Sequence, residues 1–237
     1  MKAMIAGLSL LLLSGCASDG QAPWSALANT ASCGKLSSDE QLTLNLADDM
    51  ANDGKLHASL ANLQSLPDNQ ADVRLRKAKV YRLLGRSEAE PLYRSLLGSC
   101  LAAEAEHGLG QLAAAKSDNG LALTHLQRAA RLAPTDEKIR NDLGVVYLNQ
   151  LQMEDARFEF LTAMELKQSD SLAALNLVTL LIYQDDWSRA AELVSRFGLS
   201  PSQVTEAQAR AEKLKTTGKP APTVANQVAA VATTSLQ

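Results

Sequence analysis

The chain has 237 residues, with 23 Lys+Arg against 26 Asp+Glu, for a formal net charge of −3. That balance leaves no basic excess to hold a phosphate backbone, which argues against nucleic acid as a partner. Aromatic residues make up only 4% while apolar residues reach 46%, and a mix rich in Ala and Leu suits closely packed helices better than sheets.

At the start, Met1 and Lys2 precede an almost wholly apolar run over residues 3–13, which ends in small residues. The run is roughly half the ~20 residues that a membrane-spanning helix needs. A short apolar core behind a basic start predicts a secretory signal peptide over residues 1–15. Leu13-Ser14-Gly15-Cys16 resembles a bacterial lipobox. The resemblance implies cleavage before Cys16 and lipidation of that cysteine with three acyl chains, palmitate among them. One chain alone binds a bilayer only marginally, so three imply stable anchoring. By the same resemblance, Ala17 rather than Asp after the cysteine implies sorting to the outer membrane.

Residues 16–37 are rich in Ala, Ser, Gly and Asn and read as a lipidated linker. Trp24 and Leu27 interrupt it, and either dock on the first helix or stay exposed. Lipidation of Cys16 leaves Cys33 and Cys100 in an oxidising compartment. They form either a disulfide tying the linker to the domain or two unpaired thiols, since sequence does not fix their separation. There is no C-x-x-C pair to suggest zinc or a redox centre.

Over residues 38–215 apolar residues recur at spacings of three and four, and Gly and Pro fall at the breaks. Rows beginning at Ala103, Glu137 and Ser171 are each offset by 34 residues, the tetratricopeptide period. In the Glu137 row, "NDLGVVYLNQLQMEDARFEFLTAMEL" carries Leu143, Gly144 and Tyr147, then Ala156, Phe160 and Ala163, and resembles the tetratricopeptide pattern closely. The Ala103 row has Leu109, Gly110, Ala113, Ala122, Leu126 and Ala129 in those places, with a terminal Pro134; the Ser171 row has Leu177, Val178, Leu181, Ala190 and Val194, with Trp187 at the turn. Two weaker rows precede them, one with Ala47, Met50, Gly54 and Ala58, the other with Ala78, Tyr81, Gly85, Ala89 and Tyr93. The small residues mark where the helices of a pair cross, while Tyr147 and Phe160 are expected to fill the space between neighbouring pairs. The predicted fold is all-α: a tetratricopeptide-repeat superhelix of about five helix pairs, each stacking on the next to build a continuous core. Ser200-Pro201 starts a capping helix reaching about Lys215. Residues 216–237 carry one charge and no aromatic residue and read as a disordered tail, although Val224, Val228 and Val231 have helical spacing.

Catalytic signatures are missing. His57, His107 and His125 lack an evident third metal ligand. "GLGQLA" mimics a dinucleotide fingerprint but follows no strand. Asp48, Asp49, Glu88 and Glu90 read as solvated helix faces. No cofactor and no small-molecule substrate is expected, and the chain does not read as an enzyme.

In the tetratricopeptide family the first helices line an inner groove, and the second, fifth, ninth, twelfth and thirteenth places of each row face it. Carried over, these are Glu104, His107, Gln111, Ala114 and Ala115; then Lys138, Asn141, Val145, Leu148 and Asn149; then Leu172, Leu175, Thr179, Ile182 and Tyr183. The resemblance implies an apolar groove in the C-terminal half, able to take an amphipathic helix, with Leu148, Leu175, Ile182 and Tyr183 as contacts. The alternative is that the capping helix covers part of it. The carboxylate clamp of chaperone-binding members is not reproduced. Lipobox, linker and repeats together resemble the TadD-type outer-membrane lipoproteins of the tight-adherence (Flp) pilus system. This implies a pilotin-like factor for an outer-membrane secretin subunit, anchored by lipid and facing the periplasm. PilW-type pilotins of type IV pili and NlpI-like adaptors for peptidoglycan hydrolases are the alternative resemblances.

Overall fold

The structure, a computed structural model, describes residues 33–168 and 171–217. Among these it has eleven helices and no strand: α1 Ser38–Asn52, α2 Leu56–Gln64, α3 Ala71–Leu83, α4 Ala89–Arg94, α5 Ala102–Ala115, α6 Asn119–Leu132, α7 Glu137–Asn149, α8 Met153–Leu166, α9 Ser171–Tyr183, α10 Trp187–Phe197 and α11 Pro201–Thr217. The expected signal peptide, Cys16, most of the expected linker and residues 218–237 lie outside the described residues.

The pairs are made by one recurring turn. After each first helix the chain closes with a hydrogen bond from a backbone N–H to the carbonyl five positions back: Lys55 to Met50, Arg86 to Tyr81, Asp118 to Ala113, Gln152 to Tyr147, and Asp186 to Leu181. This is the six-to-one bond of a Schellman turn, which needs a left-handed residue just before the donor. Gly54 and Gly85 supply it at φ 75° and 68°; Ser117, Leu151 and Asp185 supply it at φ 61°, 60° and 61°. A side chain at that φ costs ~1–2 kcal/mol, so the last three pairs hold their turns against strain. Asp118 and Asp186 then cap the second helix by accepting from the N–H of Leu121 and Arg189.

Each pair closes on a small residue. A Cβ on Gly144 would lie 2.6 Å from Cε1 of Phe160, and one on Gly110 would lie 2.6 Å from Cγ of Leu126. Phe160 therefore sits over its own pair's glycine as well as joining the cluster shared with α9. The contact across to the neighbouring pair is the one expected, and the contact on its own pair's glycine is additional. Tyr147 does bridge neighbours: its hydroxyl accepts from Nε2 of Gln127 at 3.0 Å. The α3/α4 pair is the irregular one. The residue missing after Gly85 shortens that turn, and α4 has only 6 residues, yet Tyr93 is fully buried from it.

Among the described residues, successive first helices touch one another, α1 with α3, α3 with α5, α5 with α7 and α7 with α9, whereas successive second helices do not approach comparably. An array whose first helices crowd together curves with those helices on its inner side. The end of the array departs from this pattern. α9 buries nine of its 13 residues, and a helix apolar nearly all round must be covered. α11 covers it, burying Ala207, Ala211 and Leu214 in the α9 cluster. Ser200 and Gln203 start α11 with reciprocal side-chain bonds, Gln203 N–H to Ser200 Oγ at 3.3 Å and Ser200 N–H to Gln203 Oε1 at 2.8 Å.

Candidate functional site

The inner face divides into a closed and an open half. On the closed half, Leu148, Thr179 and Ile182 are 0%, 1% and 4% exposed. They are core residues, and this corrects their assignment as groove contacts: α11 lies where a partner helix was expected. Leu175, Tyr183 and Val145 are half-buried around the same cluster, and Asn149 is exposed. The alternative of a capping helix over the groove therefore describes this half. The cover is tied down by charge. Lys215 Nζ lies 2.6 Å from Asp185 Oδ1, and Arg210 Nη1 donates to Asn176 Oδ1 at 2.9 Å. Burial holds the Arg210 guanidinium below its usual range, with Glu206 acting in the opposite sense.

Arg210 ends a polar ladder that crosses four inner helices. Asn176 Nδ2 donates to Asn141 Oδ1 at 2.8 Å, and Asn141 Nδ2 to Asp142 Oδ1 at 3.3 Å. Oδ2 of Asp142 accepts from Gln111 Nε2 at 2.7 Å and lies 2.7 Å from His107 Nε2. Burial raises the Asp142 pKa, but the His107 contact and the Gln111 and Asn141 amides outweigh it and hold this carboxyl below the usual aspartate range. Asn141 and Asn176 are buried, and each is bonded on both sides, as buried amides must be. The sequence carried a sign of this ladder: Asp142, Asn176 and Arg210 stand at 34-residue intervals, one place beyond the groove positions assigned by family resemblance.

The open half begins at that ladder. His107, Gln111, Lys138, Asn141 and the 52% exposed Leu172 line a depression of about 250 Å³. Across α5, Gln111 also lines a second hollow of about 410 Å³, with Arg82, Arg86, Leu112, Ala115 and Lys116. The surface from α3 to the start of α9 is thus continuous through one side chain. Glu104 and Ala114 are half-buried beside it. Sequence reasoning placed Gln111, His107 and Lys138 here, and missed Arg82 and Arg86.

The remaining expected features sit apart. His125 Nδ1 lies 2.6 Å from Glu106 Oε2 inside the α5/α6 pair, and His57 is exposed on α2. Among the described residues no three His, Cys, Asp or Glu side chains converge to hold a metal, and no helix is long and apolar enough to cross a membrane. Cys33 and Cys100 stand 5.6 Å apart at Cα with their sulfurs joined, closing a separation of 67 residues. The bridge ties the chain ahead of α1 to the α4–α5 turn.

No family model matches the chain. It is 42% identical over 216 residues to the TPR repeat-containing protein PA4299 of Pseudomonas aeruginosa, covering 89% of this chain and 85% of that one. Its fold is similar to pilF of Pseudomonas aeruginosa, at 18% identity and TM-score 0.58, covering 73% of this chain and 87% of the other. It is also similar to TTC0263, a thermophilic TPR protein of Thermus thermophilus, at 18% identity and TM-score 0.55, covering 73% and 97%. The stacked pairs, their 34-residue period and the identity shared with PA4299 agree: the chain belongs to the TPR repeat-containing proteins.

Proposed function

We propose that the chain is a non-catalytic scaffold, anchored by lipid on Cys16 to the periplasmic side of the outer membrane. It binds a subunit of an outer-membrane secretin for assembly of a tight-adherence (Flp) pilus, in the manner of a pilotin. The observation that carries the binding role is the division of the inner face. α11 satisfies the apolar α9 end, while the stretch from α3 to α7 keeps Gln111, Lys138 and Arg86 facing a groove. Tetratricopeptide proteins bind protein partners, and a curved face with its polar groups left open on one half suits a polypeptide segment. The membrane assignment is supported by the lipobox-like Leu13-Ser14-Gly15-Cys16. Anchoring would hold the groove within a linker's length of the bilayer where a secretin inserts.

The test is a deletion strain complemented with wild-type protein or with Cys16→Ser. The expected result is fewer secretin multimers on deletion, recovery with wild type, no recovery with Cys16→Ser, and loss of palmitate labelling in that variant. Normal multimers in the deletion strain would contradict the secretin role, and would favour an adaptor for cell-wall hydrolases. Full labelling of Cys16→Ser would contradict the anchor.

A further inference from the structure

We propose that the hollow between α3 and α5 is the subsite that recognises an acidic, aliphatic segment of the protein partner, seating a Glu or Asp side chain against Arg82 and Arg86, with Lys79 one helical turn from Arg82 adding its charge from the same face. The proposal rests on the protein-binding reading above and names the chemistry of the segment bound.

The chain is acidic overall, yet between Ala71 and Arg86 it carries Arg74, Arg76, Lys77, Lys79, Arg82 and Arg86 against Asp72 alone. Two of these cations are neutralised within the fold. Arg76 pairs with Asp48 at 3.0 Å and Asp72 at 3.3 Å, and Lys77 with Asp68. Lys79, Arg82 and Arg86 make no ion pair among the described residues. Arg86 instead stands over the Tyr81 ring, 6.0 Å from its centroid. Lys79 and Arg82 take the ninth and twelfth places of their row, counted from the left-handed Gly85, so they share the inner face with Gln111. Arg82, Arg86 and Gln111 line the same hollow.

Although its side chain reaches solvent, the protein around Lys79 pushes its pKa below the usual lysine range, chiefly by desolvation. Asp48, Arg76, Glu104 and Lys138 add opposing contributions. A carboxylate brought near would favour the charged form of Lys79 and gain charge-assisted hydrogen bonds from the two guanidinium groups. Leu112 and Ala115 give the hollow an aliphatic wall, which suits an apolar residue next to the acid.

A protein segment fits better than a continuous anionic surface. The volume is that of a few side chains; Glu90 lines the same hollow and Glu104 lies near enough to Lys79 to act on its charge. They would repel a membrane or a phosphate backbone while leaving room for one or two carboxylates. Glu90 already holds Arg94 at 2.8 Å and Lys116 at 3.3 Å, so the far rim is neutral.

Fluorescence anisotropy on the intact chain tests this with three labelled short peptides: alternating Glu and Leu, the same with Gln for Glu, and the same with Lys. The Glu peptide should bind, weaken with added salt, and bind at least about tenfold tighter than the other two, a difference of ~1.4 kcal/mol. Lys79→Glu/Arg86→Glu should lose at least about tenfold in affinity with unchanged helical circular dichroism. Lys79→Gln/Arg86→Gln should lose less, and Arg131→Glu, exposed on α6, nothing. Equal binding of the Gln peptide, no binding of the Glu peptide at millimolar concentration, or full affinity in the double variants would overturn the proposal. So would a double variant whose loss is confined to phosphatidylglycerol vesicles, which would assign the cations to lipid headgroups. The peptide assay contains no secretin, so normal secretin multimers in the deletion strain would refute the pilotin role and leave this result standing.

Discussion

Gly144→Ala tests the packing logic on which the whole array depends. The added Cβ would lie 2.6 Å and 2.7 Å from Cε1 and Cδ1 of Phe160. Carbon atoms rest at ~3.5–4.0 Å, so the overlap is about 1 Å against an aromatic ring. Phe160 is fully buried and belongs to the cluster that includes Ala156, Ala163 and Ala174, so the ring has no open space to enter. Overpacking of this kind costs ~1–3 kcal/mol. Replacing Gly by Ala inside a helix returns ~0.5–1 kcal/mol. The expected net loss is ~1–2 kcal/mol, read as a lower urea midpoint by circular dichroism. Gly120→Ala is the matched control. Its Cβ meets only Asp118 Oδ1, at 3.7 Å, so stability should stay level or rise slightly. Phe160→Leu is destabilising alone, but combined with Gly144→Ala it should show a favourable coupling of at least ~0.5 kcal/mol. A Gly144→Ala protein as stable as wild type, or strict additivity in the double variant, would refute the reasoning.

The other predictions concern the turns, the bridge and the ladder. Ser117→Gly removes a side chain from φ 61° at an exposed turn and should raise stability by up to ~1 kcal/mol; a lower urea midpoint would contradict it. Reducing Cys33–Cys100 should destabilise by ~2–4 kcal/mol, given the long loop it closes, and an unchanged midpoint with both thiols free before reductant is added would contradict it. Asp142→Asn should flatten the acid dependence of stability. The wild-type carboxyl has a lowered folded pKa, so its contribution is fully present above about pH 4 and is lost as pH falls through the folded value; identical acid midpoints in mutant and wild type would count against it. Ile182→Ala and Leu148→Ala, both inside the α9 cluster, should cost ~2–5 kcal/mol each. Fully stable variants would restore those residues as surface contacts.

The fold was legible because its signal repeats. One tetratricopeptide row is weak evidence, but Leu143 recurs as Leu109 and Leu177, and Ala156 as Ala122 and Ala190, at 34-residue intervals, and Gly144 and Gly110 each answer to one helix crossing. The open part of the inner face was legible too, since Gln111 and Lys138 sit where the family's geometry puts them. What could not be read was which groove positions are free. Ile182 occupies a groove place in its row, and only tertiary packing decides that α11 lies over it. The hollow that holds Arg82 and Arg86 depends likewise on how α3 and α4 stand against α5. Arg82 and Arg86 looked like ordinary solvated charges in sequence because Gln111, Leu112 and Ala115, which enclose the same hollow, lie on a different helix pair.

The central claim is that the open inner face holds a secretin segment while the convex face does not. Photocrosslinking in cells that assemble the pilus tests it most directly, with a photoreactive residue at Gln111, which borders both hollows, and another at Phe158, exposed on α8. The account predicts a crosslink from position 111 to the secretin subunit, lost in Lys79→Glu/Arg86→Glu, and none from position 158. A secretin crosslink from 158 alone, or crosslinks from 111 only to cell-wall hydrolases, would contradict it.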